Sequence, residues 1–185
     1  MDEIDDITLE RAKRGDGAAF RRLYEHYSSF VWRLCYRSSN GDAACAEEIM
    51  QNAFVKVHRY LGGFLRGSTF STWLYSVTYH CINEYFAKAA KYRLRNLSFD
   101  DEVRLPGTDA GGGRVPYEDR QLVERILRSL SESDRFMLVA REVEGVPYEE
   151  LAGIMGVNVG ALRTRMARLK ADIRERLEKQ YLGEQ

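Results

Sequence analysis

A chain of 185 residues with 44% hydrophobic and 11% aromatic content can bury one or two cores. Its 28 basic and 28 acidic residues cancel, which excludes a global field that draws in nucleic acid and confines any such contact to local clusters. No apolar run approaches the roughly 20 residues of a membrane span, and the acidic start MDEIDD is unlike a secretory signal. Cys35, Cys45 and Cys81 are odd in number and share no CxxC spacing. This fits reduced cytosolic thiols better than disulfides or zinc, so the expectation is a cytoplasmic protein without membrane insertion, metal or other cofactor. Only three prolines and few alternating apolar runs predict an all-α fold.

Ile7 to Arg14 reads as a short helix stopped by Gly15-Asp16-Gly17, with Asp16 able to cap the next. From Ala18 to Arg37, the residues Phe20, Leu23, Tyr24, Tyr27, Val31, Leu34 and Cys35 keep helical spacing and predict a core face. Asp42 starts a third helix, with Ala46, Ile49, Met50, Ala53 and Val57 inward and Glu47, Glu48, Gln51 and Asn52 on a polar outer face. Leu61 to Thr69, with three glycines and no period, predicts a loop. Phe70, Trp73, Leu74, Val77, Cys81, Tyr85 and Phe86 then trace a long helix capped by Ser68 or Thr69. Its expected off-core side carries Tyr75, Tyr79, His80, Asn83, Lys88 and Lys91. Such a mixture of rings, amides and cations suits stacking on unpaired bases, and it equally suits the margin of an aromatic-rich core.

Residues 96–117 contain Pro106, four glycines and several acids but no helical stripe, which predicts a flexible acidic linker between helical domains at 1–95 and 118–185. Periodicity resumes with Leu122, Ile126, Leu127 and Leu130. Ser131 and Asp134 approximate a capping box for a helix that runs to Gly145 and buries Phe136, Val139, Ala140 and Val143. Residues 147–166 then read as helix, turn, helix. Pro147 suits a first helical turn, Leu151, Ile154 and Met155 form one stripe, and Gly156 breaks it. Leu162, Met166, Leu169, Ile173 and Leu177 form the second stripe, which leaves Ala161, Thr164, Arg165 and Arg168 on one outward arc and Arg163 and Lys170 on the opposite flank. No acid interrupts residues 161–170. A helix entering a DNA major groove needs small and hydrogen-bonding groups for base edges with cations nearby for phosphates. A helical hairpin with a solvated basic face has the same pattern.

Three stretches in order carry a family resemblance: AEEIMQNAFVKVHRY at Ala46 to Tyr60, FSTWLYSVTYHCINEYF at Phe70 to Phe86, and the segment from Leu130 to Ile173. Together they resemble a bacterial RNA polymerase sigma factor of the extracytoplasmic-function type, with regions 2 and 4 and little else. The resemblance implies a transcription initiation factor and not an enzyme, and no histidine-carboxylate, phosphate-loop or nucleophile constellation speaks for catalysis. It implies that Glu47, Glu48, Gln51 and Asn52 dock on the β′ clamp helices of core polymerase, and that region 4 meets the β flap. It further implies −10 recognition and melting by Phe64, Arg66, Thr69, Trp73, Tyr75, Tyr79, His80, Asn83 and Lys88, with a flipped base held by the 61–69 loop. Ala161, Arg163, Thr164, Arg165, Arg168 and Lys170 would read the −35 element, and an anti-sigma factor would hold the protein inactive.

The sequence departs from the family pattern at Cys45, where an acid is usual, at His80 and Ala87, where asparagine and arginine are common, and at Ala161, which replaces a frequent threonine. The linker fits a stretched role. Promoter elements two turns apart are separated by roughly 70 Å, whereas about 22 residues average only some 25 Å as a flexible coil and reach about 70 Å extended. Its acids Asp100, Asp101, Glu102 and Asp109 would lie in a channel built for RNA. Two other readings stand beside this one: a helix-turn-helix regulator acting without polymerase, and a helical adaptor with no DNA role. If the arc on the last helix reads bases, Arg165→Ala is expected to weaken promoter use selectively at the upstream element, measured on promoters altered there and elsewhere. Equal loss on unrelated sequences would reduce Arg165 to a phosphate contact.

Overall fold

The structure is a computed structural model that describes residues 3–65, 67–95 and 125–182. Arg66, the 96–117 linker with its acids, and Leu122 lie outside the described residues. The chain divides into two compact units, Met1–Leu105 and Pro106–Gln185. Both are helical, and the described residues contain no strand.

In the N-terminal unit, α1 (Asp6–Lys13), α2 (Gly17–Ser38), α3 (Ala43–Tyr60) and α4 (Phe70–Arg95) begin at side chains able to satisfy free helix amides. Asp5 caps α1 by accepting from the Thr8 amide at 2.8 Å and its hydroxyl at 2.7 Å, and these bonds hold its carboxyl below the usual carboxylate range. Asp16 caps α2 through the amides of Ala18 and Ala19 while also accepting from Arg11. Asp42 caps α3 through the Cys45 amide. Thr69, not Ser68, caps α4 through the Thr72 amide at 3.2 Å. The Glu3 carboxylate adds a bond from the Ser71 amide. Between α3 and α4 the chain makes a 3-10 turn, Leu61–Gly63.

The core joins Leu23, Tyr27, Val31 and Leu34 of α2 to Ala46, Ile49, Ala53 and Val57 of α3 and to Phe70, Leu74 and Ile82 of α4. Phe20 and Tyr24, expected inside, lie at the α2–α3 seam. Phe20 meets His58 edge-on at 4.9 Å, and Tyr24 packs on Phe54 at 4.6 Å with its outer side exposed. The expected face of α4 is also displaced. Tyr75 and Tyr79 are buried, whereas Trp73, Val77, Tyr85 and Phe86 are half-buried. The cause is that α4 packs on both α2 and α3, so its buried arc is wider than one apolar stripe. Phe30 of α2 receives Tyr75 edge-on at 4.6 Å.

In the C-terminal unit, residues 125–129 are helical and α5 (Glu132–Leu138) follows under a Ser131 cap. The buried Arg135 returns its guanidinium to the preceding turn, with Nε donating to the Leu127 carbonyl and Nη2 to the Leu130 carbonyl, both at 2.9 Å. The chain continues as a π-helical segment, Val139–Val143. There the Glu144 amide reaches the Val139 carbonyl five residues back. This wider turn carries Val143 off the face of Phe136 and Ala140 and leaves it 53% exposed, contrary to the α-helical expectation. Gly145, at φ +72°, turns the chain into α6 (Tyr148–Met155), where Pro147 stands at the cap and not inside the first turn. Gly156, at φ +67°, ends α6 in the left-handed region that favours glycine. Asn158 then opens α7 (Val159–Leu182), its Oδ1 accepting from the Gly160 amide at 2.8 Å.

Two outcomes are expected. Arg135→Met leaves the buried Leu130 carbonyl without its donor and takes one of two donors from that of Leu127, which keeps the Leu130 amide, and should cost the C-terminal unit about 2 kcal/mol. In denaturant unfolding of the full chain, that unit's transition should move while the N-terminal one stays. Burial pushes the thiols of Cys35, Cys45 and Cys81 up from their ordinary value. The native protein at pH 8 should therefore react slowly with a thiol reagent, and all three should label promptly once it is unfolded.

Candidate nucleic-acid and partner interfaces

The buried stripe Leu162, Met166 and Leu169 turns one side of α7 inward. Ala161, Arg163, Thr164, Arg168 and Lys170 are exposed, and Arg165 is partly so. The outward arc thus stands where the periodicity puts it. What the periodicity did not indicate is a set of acids from neighbouring elements. Arg165 Nε donates to Asp134 Oδ1 of α5, Arg163 Nη2 to Glu149 Oε1 of α6, and Lys170 Nζ pairs with Glu142 Oε1, each at 2.7 Å. Arg163 also lies over the Tyr148 ring, 5.5 Å from its centre. These partners stand 14 to 31 residues away in the sequence for the two arginines, beyond any helical spacing. The Thr164 hydroxyl donates to the Gly160 carbonyl at 3.0 Å, which leaves its oxygen free to accept. The pairs of Arg163 and Lys170 are solvent-exposed and contribute about 0–1 kcal/mol each, so a phosphate can displace them.

On the N-terminal unit, the residues assigned to −10 contact do not form one exposed surface. Thr69, His80 and Lys88 are exposed, and Trp73 and Asn83 are half-buried. Phe64, Tyr75 and Tyr79 are in the core, which corrects the off-core side expected for the two tyrosines. Phe64 is drawn in by an aromatic cluster, its ring centre 5.7 Å from Phe70 and 5.3 Å from Trp73. At 3.6 residues per turn, Trp73 and His80 fall within about 20° of one another on α4. Two exposed apolar side chains near the loop escaped notice in the sequence: Tyr60, at 56%, and Leu65, at 83%. Nothing in their spacing marks them.

Glu47, Glu48, Gln51 and Asn52 are all exposed on α3, as expected, and Gln51 Nε2 donates to Glu47 Oε1 at 3.2 Å. Glu47 and Gln51 line a groove of about 400 Å³ together with Tyr24, Trp32, Met50 and Phe54. The polar face therefore has an aromatic and thioether neighbour contributed by the α2–α3 seam. An ion pair joins α3 to α4, with Lys56 Nζ at 2.8 and 2.7 Å from the two Glu84 carboxylate oxygens. The bond from Lys56 holds the Glu84 carboxyl below its ordinary range. Among the described residues, no group of three or more His, Cys, Asp or Glu is placed to hold a metal ion, and no helix is long and apolar enough to cross a membrane.

Residues 23–92 match the family Sigma-70 region 2, and residues 120–173 match Sigma-70, region 4. The chain is 31% identical over 185 residues to the ECF RNA polymerase sigma-E factor of Escherichia coli K12, covering 94% of each. It is 31% identical over 184 residues to the RNA polymerase sigma-H factor of Pseudomonas aeruginosa, covering 95% of each. Solved structures with a similar fold include CnrH in complex with the cytosolic domain of CnrY, at TM-score 0.65 and 20% identity over 93% of this chain and 96% of that one. Another is the sigma factor RpoE of Bartonella quintana in complex with the anti-sigma factor NepR, at TM-score 0.66 and 20% identity over 86% of this chain and 96% of that one. With both regions matched in order and the identity sustained along nearly the whole chain, the protein belongs to the sigma-70 family, as an ECF sigma factor.

Proposed function

We propose that this sigma factor binds core RNA polymerase, directs it to specific promoters, helps melt the −10 element, and is held inactive by an anti-sigma factor. The observation that carries the reading is the outward arc of α7, Ala161, Thr164 and Arg168 exposed and Arg165 partly so, on a helix pair that buries Leu151, Ile154, Leu162, Met166 and Leu169. That surface has the chemistry of a major-groove reader. Arg163, Arg168 and Lys170 supply phosphate contacts, and the Ala161 methyl is suited to a thymine methyl.

The −10 contacts fall to Thr69, Trp73, His80, Asn83 and Lys88, with Arg66 as a further contact from the loop. A base leaving the duplex costs a few kcal/mol, which stacking and edge hydrogen bonds at the 61–69 loop offset. Phe64, Tyr75 and Tyr79 serve this surface from below, by packing. Melting draws on binding energy and needs no catalytic chemistry from the chain. Glu47, Glu48, Gln51 and Asn52, with the aromatic groove beside them, fit the β′ clamp helices. The polar side chains set orientation and the groove supplies apolar area. The helix pair meets the β flap, and the acidic linker between domains 1–95 and 118–185 passes through the polymerase between the two promoter elements. Partners of this kind place the protein in the cytoplasm. An anti-sigma factor would act by covering the polymerase- or DNA-binding faces.

The test is capture of purified core polymerase by the full chain, followed by run-off transcription on a genomic promoter library with and without it. Core binding with new, sequence-specific start sites is the expected result. Specific DNA binding without polymerase would replace this reading with that of a free-standing regulator.

A further inference from the structure

We propose that Asp134 is a positioning residue for promoter reading: it grips Arg165 by Nε so that the terminal nitrogens of the guanidinium point outward as a fork that reads a guanine of the upstream element. The inference rests on the −35 role proposed above for the helix pair. It starts from a difference among the cations of α7. Arg163 is held by a terminal nitrogen, Nη2, on Glu149, and the only ammonium of Lys170 is on Glu142. Arg165 is held instead by Nε, at 2.7 Å from Asp134 Oδ1. A guanidinium has five N–H donors in a fixed plane. An acceptor on Nε occupies the side-on edge and leaves the end-on pair, one N–H each from Nη1 and Nη2, directed away from it. That planar fork matches O6 and N7 of guanine in the major groove.

Asp134 is itself fixed. Its Oδ2 accepts from the Ser131 hydroxyl at 2.7 Å, and its amide donates back to Ser131 Oγ at 3.1 Å, within the cap of α5. The relay Ser131, Asp134, Arg165 thus runs from a helix start to the reading helix. The Asp134 side chain is 25% exposed and that of Arg165 41%, so the grip is partly sheltered while the fork is open. A carboxylate at this place also repels phosphate, which biases Arg165 toward base edges and away from the backbone. Asp134 was marked in the sequence for capping alone.

The test is binding of polymerase reconstituted with the full chain to promoters carrying every base pair at each upstream position, alongside unrelated DNA at several salt concentrations. The wild type is expected to prefer guanine at one position by about tenfold or more. Arg165→Lys keeps the charge without the fork, and should lose that preference while retaining binding to unrelated DNA. Asp134→Ala and the isosteric Asp134→Asn should cut the guanine preference at least about threefold at that position alone, with binding to unrelated DNA unchanged or stronger. Unaltered preference in both Asp134 variants, shown to be folded by circular dichroism, would overturn the proposal. So would uniform loss across all sequences, or full selectivity in Arg165→Lys. A wild type indifferent to the whole upstream region would remove the −35 reading as well, which separates that failure from a failure of the buttress.

Discussion

Rotation of α7 about its own axis decides what the C-terminal unit can touch. That rotation is held by Leu162, Met166 and Leu169, all buried. Turning the helix by one residue in one direction would drive Arg163 and Lys170 into the core. Turning it the other way would bury Arg165 and Arg168. Either move exchanges apolar burial for uncompensated charge, at a cost of several kcal/mol per ion, on top of about 2–5 kcal/mol for each large apolar side chain withdrawn. The reading face is thus specified by what must not be inside. Gly156 and Asn158 place the start of the helix, so its phase is fixed as well as its axis.

Around these cores, short polar side chains and ion pairs settle orientation more than stability. Asp5, Asp16, Asp42, Thr69, Ser131 and Asn158 each satisfy amides at a helix start. Arg135 does the corresponding work at a helix end, where buried carbonyls need donors. Lys56 and Glu84 join α3 to α4 on a largely solvated surface and add little free energy there. Their contribution depends on an ionised Glu84, whose pKa is depressed in the folded chain. It is therefore present at neutral pH and is lost only as acid titrates the carboxyl. The angle between these two helices is held by the buried Ile49, Ala53 and Val57 of α3 and Leu74 and Ile82 of α4.

Much of this was legible in the sequence because helices announce themselves by local rules. The stripes of α2, α3 and α7, the caps at Asp16, Asp42 and Ser131, and the break at Gly156 all follow from spacings of four residues or fewer. The polar face of α3 and the outward arc of α7 were legible as the complements of those stripes. The failures are of another kind. Tyr75, Tyr79 and Phe64 are inside because a second helix or an aromatic cluster reaches them, and amphipathicity along one helix carries no record of its neighbours. Val143 is outside because a single π-type turn shifts the phase, and the tail of a periodic pattern does not show where it slips. The acids that hold Arg163, Arg165 and Lys170 come from other helices and are tertiary facts throughout.

Those acids bear on how a chain with no net charge can act at DNA. Release of counterions from the phosphate backbone favours any protein with unpaired cations, and it does so without regard to sequence. Pairing Arg163, Arg165 and Lys170 with carboxylates lowers that indiscriminate attraction. The pairs of Arg163 and Lys170 are weak enough to yield to a well-placed phosphate, whereas that of Arg165 occupies Nε and leaves its outer nitrogens open. A sigma factor gains from the trade on the proposed reading. Polymerase and the −10 contacts hold the complex at the promoter, so the upstream helix need contribute little bulk affinity and can put its free energy into discrimination. A neutral total with locally masked cations is then the charge distribution expected of a reader that binds DNA only in company.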